Sequence, residues 1–263
     1  MAAAGERIRL VGVFAHPDDD VYTLGGSLVL ERDRLDVTLV FCTSGDAGPI
    51  WIDGVAPHEL GRVREREQAA SMAALGVHAD VRFLRHPDYH LPTVPSEVLE
   101  GEIDAILREK RPDLVVTFGA DGLTGHQDHV AVGAVTDAAV DRARSDDGIV
   151  ARLLHVGTPR TAVDRLEEQL RALGDPTKEE RSLLALRGVP DERIAVAVDT
   201  RPVRDRKLAG IEAHRTQIGE LERLPEALRW IVLDTEWFVQ VWPERPAAPA
   251  APATSLVGAV RDA

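Results

Sequence analysis

Short runs of β-branched and apolar residues alternate along the chain with longer stretches in which apolar positions recur every three or four residues. The first kind marks buried strands, the second amphipathic helices. The predicted strands are Ile8 to Phe14, Asp36 to Cys42, Val81 to Leu84, Leu114 to Phe118, Leu153 to Val156 and Ile194 to Val198, with a last one around Trp237 to Val241. Helical spacing covers Tyr22 to Arg32, His58 to Leu75, Ser96 to Glu109 and Val130 to Ala143, and Gly76 and Pro112 punctuate two of these ends. Near-continuous apolar strands separated by helices are the pattern of a parallel sheet covered on both faces. The expectation is therefore a Rossmann-like α/β fold with a mostly parallel, twisted sheet.

The remaining segments refine this picture. The stretch from Ala162 to Arg187 is highly charged and helical in pattern, fit to cap the sheet or form a surface hairpin. Thr200 before Arg201 and Pro202 reads as an N-cap with proline early in a helix that carries Lys207, His214 and Gln217. From Pro243 to Pro252 the chain is rich in proline and alanine, which predicts a tail rather than a packed element. The expected organisation is one domain over residues 1–242 followed by a tail over 243–263, with no internal repeat.

A hydrophobic share of 44% with 29% charged residues suits a globular chain with a real core. The formal net charge of -13 repels phosphate backbones and anionic lipid, so neither nucleic acid nor membrane is expected as a partner. No run approaches the ~18 apolar residues of a membrane span. A small molecule is the expected partner, and a homo-oligomer is compatible with the sequence. The single cysteine, Cys42, allows no intrachain disulfide and no thiolate cluster, and with no signal-peptide pattern at the start the expected location is the cytoplasm.

The candidate chemistry lies where strands end. In open parallel sheets ligands bind beyond the carboxyl ends of the strands. The first strand runs directly into His16-Pro17-Asp18-Asp19-Asp20, and the fourth leads through a glycine-rich loop into His126-Gln127-Asp128-His129. Carboxylates that close oppose one another's ionisation unless a positive charge sits among them. An acidic first turn complementing a helix dipole explains one or two aspartates. It does not explain a second cluster at an equivalent position. Spaced three apart, His16 and Asp19 share a face if the chain turns helically after Pro17. Three protein ligands with an open fourth position are the pattern of a catalytic zinc site, and hydrolysis is its natural chemistry.

Ala15-His16-Pro17-Asp18-Asp19-Asp20 and Gly125-His126-Gln127-Asp128-His129 together resemble the PIG-L/LmbE-like N-deacetylases. Leu24-Gly25-Gly26, Thr43-Ser44-Gly45-Asp46, Arg64 with Glu67, Pro87-Asp88 and His214-Arg215-Thr216-Gln217 extend the likeness over residues 8 to about 240. The resemblance implies an LmbE-like fold and a metal-dependent hydrolase that removes an N-acetyl group from an amino-sugar-containing molecule. It implies His16, Asp19 and His129 as ligands of Zn2+ or another divalent ion such as Fe2+. Asp18 would be the general base, with His126 supplying a proton or hydrogen bond under the orientation of Asp128. That orientation requires His126 to precede the regular helix. Arg64 and Asp88 are expected to contact the sugar. Two departures stand out: Asp20 replaces the usual glutamate, and Thr124 stands where some relatives carry a tyrosine.

Other residues draw no role. His86, Tyr89 and His90 flank Asp88 in a loop and are not assigned a metal. His214 divides between helix-end packing and support of the site, and Cys42 is expected to be inert. Alternative functions are a non-catalytic sugar-binding relative and a metal hydrolase of a different amide or ester. A two-metal phosphoesterase needs more ligands than these clusters offer. A dinucleotide enzyme lacks its G-x-G-x-x-G turn here.

Overall fold

The computed structural model describes residues 7–172, 185–223, 225–244 and 251–261. Its elements in chain order are β1 (Ile8–Phe14), α1 (Asp19–Thr23), α2 (Gly25–Glu31), β2 (Leu35–Thr43), α3 (Leu60–Leu75), β3 (Ala79–His86), α4 (Ser96–Lys110), β4 (Leu114–Phe118) and α5 (Gly122–Gly125). They continue with α6 (Gln127–Asp147), β5 (Arg152–Val156), β6 (Thr158–Pro159), α7 (Arg160–Ala172), β7 (Gly188–Val189) and β8 (Ile194–Asp199). The last are α8 (Arg204–Glu212), α9 (Gly219–Arg223), α10 (Glu226–Leu233), β9 (Thr235–Trp242) and α11 (Leu256–Arg261).

Seven strands form one sheet in the order β3-β2-β1-β4-β5-β9-β8. Strands β3 to β5 in that order are parallel, and β9 runs antiparallel to both β5 and β8. Strands β1, β2 and β4 are apolar and buried nearly throughout, because helices cover them on either side. Helices α2, α3 and α8 pack together as one group and α4 with α6 as another; β1 touches α4 and α6, and also α1, which packs on α2 and α8. The strand order reverses at β1, between β2 and β4. This is the switch point where parallel sheets open a crevice. No helix among the described residues is long and apolar enough to cross a membrane.

Three features differ from the sequence expectations. Thr200 does not cap a helix with its side chain: its hydroxyl donates to Leu233 O at 2.7 Å. A 3-10 turn over Arg201–Val203 precedes α8, and His214 and Gln217 lie in the turn beyond that helix. The charged stretch is helical through Ala172, and its continuation over 173–184 lies outside the described residues. The unpacked tail expected beyond residue 242 does not hold for 251–261. Ala253 exchanges backbone hydrogen bonds with Ala195 and Ala197 of β8, both at 2.8 Å. Helix α11 then buries Leu256, Val257, Ala259 and Val260, and the Glu31 carboxylate accepts from the amides of Leu256 (2.8 Å) and Val257 (3.2 Å). The apolar stripe of this short helix outweighs the proline- and alanine-rich segment before it.

At the start of β9, Lys207 Nζ meets Glu236 Oε1 at 2.8 Å, both fully buried. Glu236 also accepts from the amides of Gly26 and Ser27 and the Ser27 hydroxyl. These bonds pin α2 and α8 to β9.

Candidate active site

The site is built on the two loops that leave β1 and β4 at the switch point. After β1, Asp18 takes a left-handed conformation (φ 113°), rare for a non-glycine residue, and α1 begins at Asp19. The Asp19 carboxylate turns back to accept from the amides of Ala15 (3.1 Å) and His16 (2.8 Å). After β4 the chain passes through Gly125 (φ 83°) to His126, which is extended (φ -61°, ψ 129°) and ends the loop. His126 therefore precedes α6, and its Nδ1 accepts the Asp128 amide at 3.2 Å. Helix α6 packs close on the end of β4 because Gly133 carries no side chain: a Cβ there would sit 2.6 Å from Phe118 O.

His16, Asp19 and His129 converge. His129 Nε2 lies 3.2 Å from His16 Nδ1 and 3.3 Å from Asp19 Oδ1, and His16 Nδ1 is 3.6 Å from Asp19 Oδ2. Tetrahedral coordination with Zn–N and Zn–O bonds of ~2.0–2.1 Å needs donors about 3.3 Å apart. The opposite ring nitrogens face oxygens. His129 Nδ1 meets Gly122 O at 3.0 Å, and His16 Nε2 faces Asp88 Oδ1 at 3.0 Å and Asp128 Oδ2 at 3.5 Å. An imidazole that donates from one nitrogen presents a lone pair on the other. Two lone pairs at 3.2 Å beside a carboxylate repel unless a cation lies between them. The residues present thus fit a divalent ion. Phe118 stacks on the His129 ring with centroids 4.0 Å apart and fixes its plane.

The electrostatics agree. Burial disfavours charge on His16, yet Asp128 and Asp88 together push its pKa up to about 10. Burial opposes ionisation of Asp19, but His129 and His16 hold its carboxyl well below the usual range. The cluster attracts positive charge, as a proton or as a metal. Asp18 is pushed up to about 6 by burial, against the pull of Arg64. His126 is pushed down to about 4 by burial and by His16 and His129, so it is neutral at pH 7. With Nδ1 accepting the Asp128 amide, the proton of neutral His126 resides on Nε2.

Two expected roles move. The Asp128 carboxylate does not orient His126. Its oxygens accept from the amides of Tyr89 (2.7 Å) and Leu91 (3.3 Å) and face His16, and only its amide meets the His126 ring. Arg64 and Asp88 line the cavity but are spent on protein partners. Arg64 is buried against Asp18 Oδ2 (3.1 Å), Pro17 O (2.6 Å) and Gly45 O (3.1 Å). Asp88 accepts from the amides of Ala47 and Tyr89 while facing His16, which holds its pKa near 2 despite burial. The short Asp20 side chain accepts from Gln68 Nε2 at 3.0 Å through one oxygen, and its other oxygen has no partner among the described residues. Burial pushes its carboxyl up to about 7.

Sequence reasoning did not single out Phe118, Gly122 O, Gln68 or the Tyr89 amide. Tyr89 sits at a left-handed backbone position (φ 63°), its amide held by two aspartates and its ring 4.8 Å from that of His126. His86 stays out of the His16, Asp19 and His129 cluster, paired with Glu102 at 2.6 Å. Burial raises the Cys42 thiol, consistent with an inert side chain.

A profile described as PIG-L: GlcNAc-PI de-N-acetylase matches residues 11–140. The 1D-myo-inositol 2-acetamido-2-deoxy-alpha-D-glucopyranoside deacetylase of Acidothermus cellulolyticus is 35% identical over 240 residues, covering 80% of each chain. Its namesake from Geodermatophilus obscurus is 34% identical over 281 residues, with 91% of this chain and 94% of the relative covered. Among solved structures, the N,N'-diacetylchitobiose deacetylase from Pyrococcus horikoshii, complexed with its inhibitor MPG, shares the fold with a TM-score of 0.63 at 22% identity. That match covers 89% of this chain and 83% of the other. On the strength of the two sequence relatives and the paired motifs, the chain belongs to the PIG-L family.

Proposed function

We propose that the protein is a metal-dependent hydrolase that removes the acetyl group from an acetamido sugar. The observation that carries this reading is the pair of imidazole nitrogens held 3.2 Å apart beside Asp19, with their opposite nitrogens facing Gly122 O and the Asp88 carboxylate. The relatives' names supply the substrate class. His16, Asp19 and His129 would hold a zinc-class divalent ion. That ion would supply Lewis acidity, polarising the amide carbonyl and acidifying water.

The chain's own groups do the rest. Asp18 lies beside the ligands with a carboxyl raised by burial toward neutrality, which suits a general base. Arg64 holds that carboxylate at 3.1 Å and limits the rise. Neutral His126 offers Nε2–H to the oxygen that gains charge as the amide carbon becomes tetrahedral. The Asp128 amide fixes this tautomer. Asp88 and Asp128 orient His16, so their part is positioning.

The test is an amine-release screen over soluble N-acetylglucosamine conjugates, with the protein stripped of metal and then reloaded with zinc. Amine release that returns only on reloading supports the reading, and release independent of metal contradicts it.

A further inference from the structure

The cavity above the ligating side chains, about 360 Å³, has two unlike walls. Toward β2 and β3 it is lined by Gly48, Arg64, Asp88 and Gln217. Toward β5 and β9 it is lined by Leu123, Val156, Leu186, Leu233 and Trp237, a mainly apolar surface interrupted by Thr158 and Thr235. Glu236 on that side is neutralised by Lys207. Apolar lining with a few polar groups at one end is the anatomy of a pocket that grips hydrocarbon and orients it by the polar end.

Charge narrows the ligand further. Arg64 is the only arginine or lysine among the described residues lining the cavity; its Nη1 and Nη2 are committed to Asp18, Pro17 O and Gly45 O, and its Nε is buried. Arg187 packs over Gly125 without lining the cavity. Asp18, Asp19 and Asp88 face the same space. Beyond the ion held by His16, Asp19 and His129, a phosphate or carboxylate on the substrate would meet carboxylates and, among the described residues, no free guanidinium or ammonium.

We infer that the preferred substrate is an uncharged acetamido-type sugar carrying an alkyl or aryl substituent, which the β5 and β9 wall holds. The inference rests on the deacetylase reading and names its substrate class. The substituent is carried on the glycosidic oxygen or as a longer N-acyl chain, and the wall recognises the same chemistry in both. In either case water oxygen joins the acyl carbon, the C–N bond breaks, and the products are a carboxylate and a protonated sugar amine.

The experiment compares kcat/KM of the zinc-loaded protein for free N-acetylglucosamine, its octyl and phenyl glycosides, N-octanoylglucosamine and N-acetylglucosamine 1-phosphate. Each methylene that leaves water for the wall adds up to about fourfold. At least one apolar compound should exceed the free sugar tenfold or more, with the phosphate no better than the free sugar. Preference for the glycosides or for the octanoyl amide assigns the attachment point. Trp237→Ala should collapse the ratio of the preferred apolar compound to the free sugar, and Trp237→Phe should restore most of it. Tryptophan emission of metal-free protein titrated with octyl N-acetylglucosaminide reads binding without turnover. Binding with no amine release from any sugar would keep the apolar wall and sink the deacetylase reading. Turnover of the free sugar with no gain from an apolar group, or a preference for the phosphate, would overturn the inference alone. A ratio unmoved by Trp237→Ala would also overturn it.

Discussion

Asp88→Asn is expected to weaken metal binding by about 10- to 100-fold while leaving the KM for the sugar nearly unchanged. Asp88 Oδ1 lies 3.0 Å from His16 Nε2, and Oδ2 accepts from the Ala47 amide at 3.0 Å. Hydrogen bonds to charged groups contribute about 1.5–3 kcal/mol against about 0.5–1.5 kcal/mol for neutral pairs. Exchanging carboxylate for amide therefore costs about 1 kcal/mol at His16. It also turns an NH2 toward either His16 and the Tyr89 amide or the Ala47 amide, a second loss of similar size. The sum, about 2 kcal/mol, is about 30-fold in affinity, within the range expected when the partner of a ligating histidine is changed. The assay is zinc titration of metal-free wild type and variant against a competing chelating indicator, followed by KM at saturating zinc. Unchanged zinc affinity with a raised KM would refute the reasoning and return Asp88 to a sugar contact.

Three further outcomes follow from the same geometry. His126→Ala should lower kcat by about 10²- to 10⁴-fold with zinc content and KM largely intact, since its Nε2–H acts on charge that develops in the transition state; single-turnover rates at matched zinc content check this. Glu236→Gln strands a buried Lys207 ammonium and should destabilise the fold by about 3–5 kcal/mol, whereas Lys207→Met with Glu236→Gln should recover much of the loss; urea denaturation of the three proteins decides. Burial holds His214 neutral in the fold by lowering its pKa to about 3, from an ordinary value near 6.5. Between those values the unfolded chain binds the extra proton, so His214 makes stability rise with pH from about 3 to about 6.5 and fall as pH drops through that window; His214→Leu should flatten that limb in urea midpoints measured across it.

The sheet was legible because a strand buried on both faces must be apolar almost throughout, as Leu114 to Phe118 is. Direction was not, since a hydrophobic run reads alike in both senses, and β9 proved antiparallel. Helix α11 escaped because the proline- and alanine-rich composition before it masked four apolar residues that α2 and β8 cover. The two ligand clusters stood out because each follows a strand that ends at the switch point. The assignments of Arg64, Asp88 and Asp128 did not, because each rests on a distance between loops that sequence spacing does not encode. Asp88 meets His16 across the gap between β3 and β1, and the Asp128 carboxylate turns to the Tyr89 amide instead of the nearby His126 ring.

The central claim is that His16, Asp19 and His129 hold a metal beside a base that is not itself a ligand. It is tested most directly by measuring zinc content and acetate release together in Asp18→Asn. The account predicts wild-type zinc occupancy with acetate release reduced at least about 100-fold. Near wild-type release at full occupancy, or loss of the metal with the carboxylate, would contradict it.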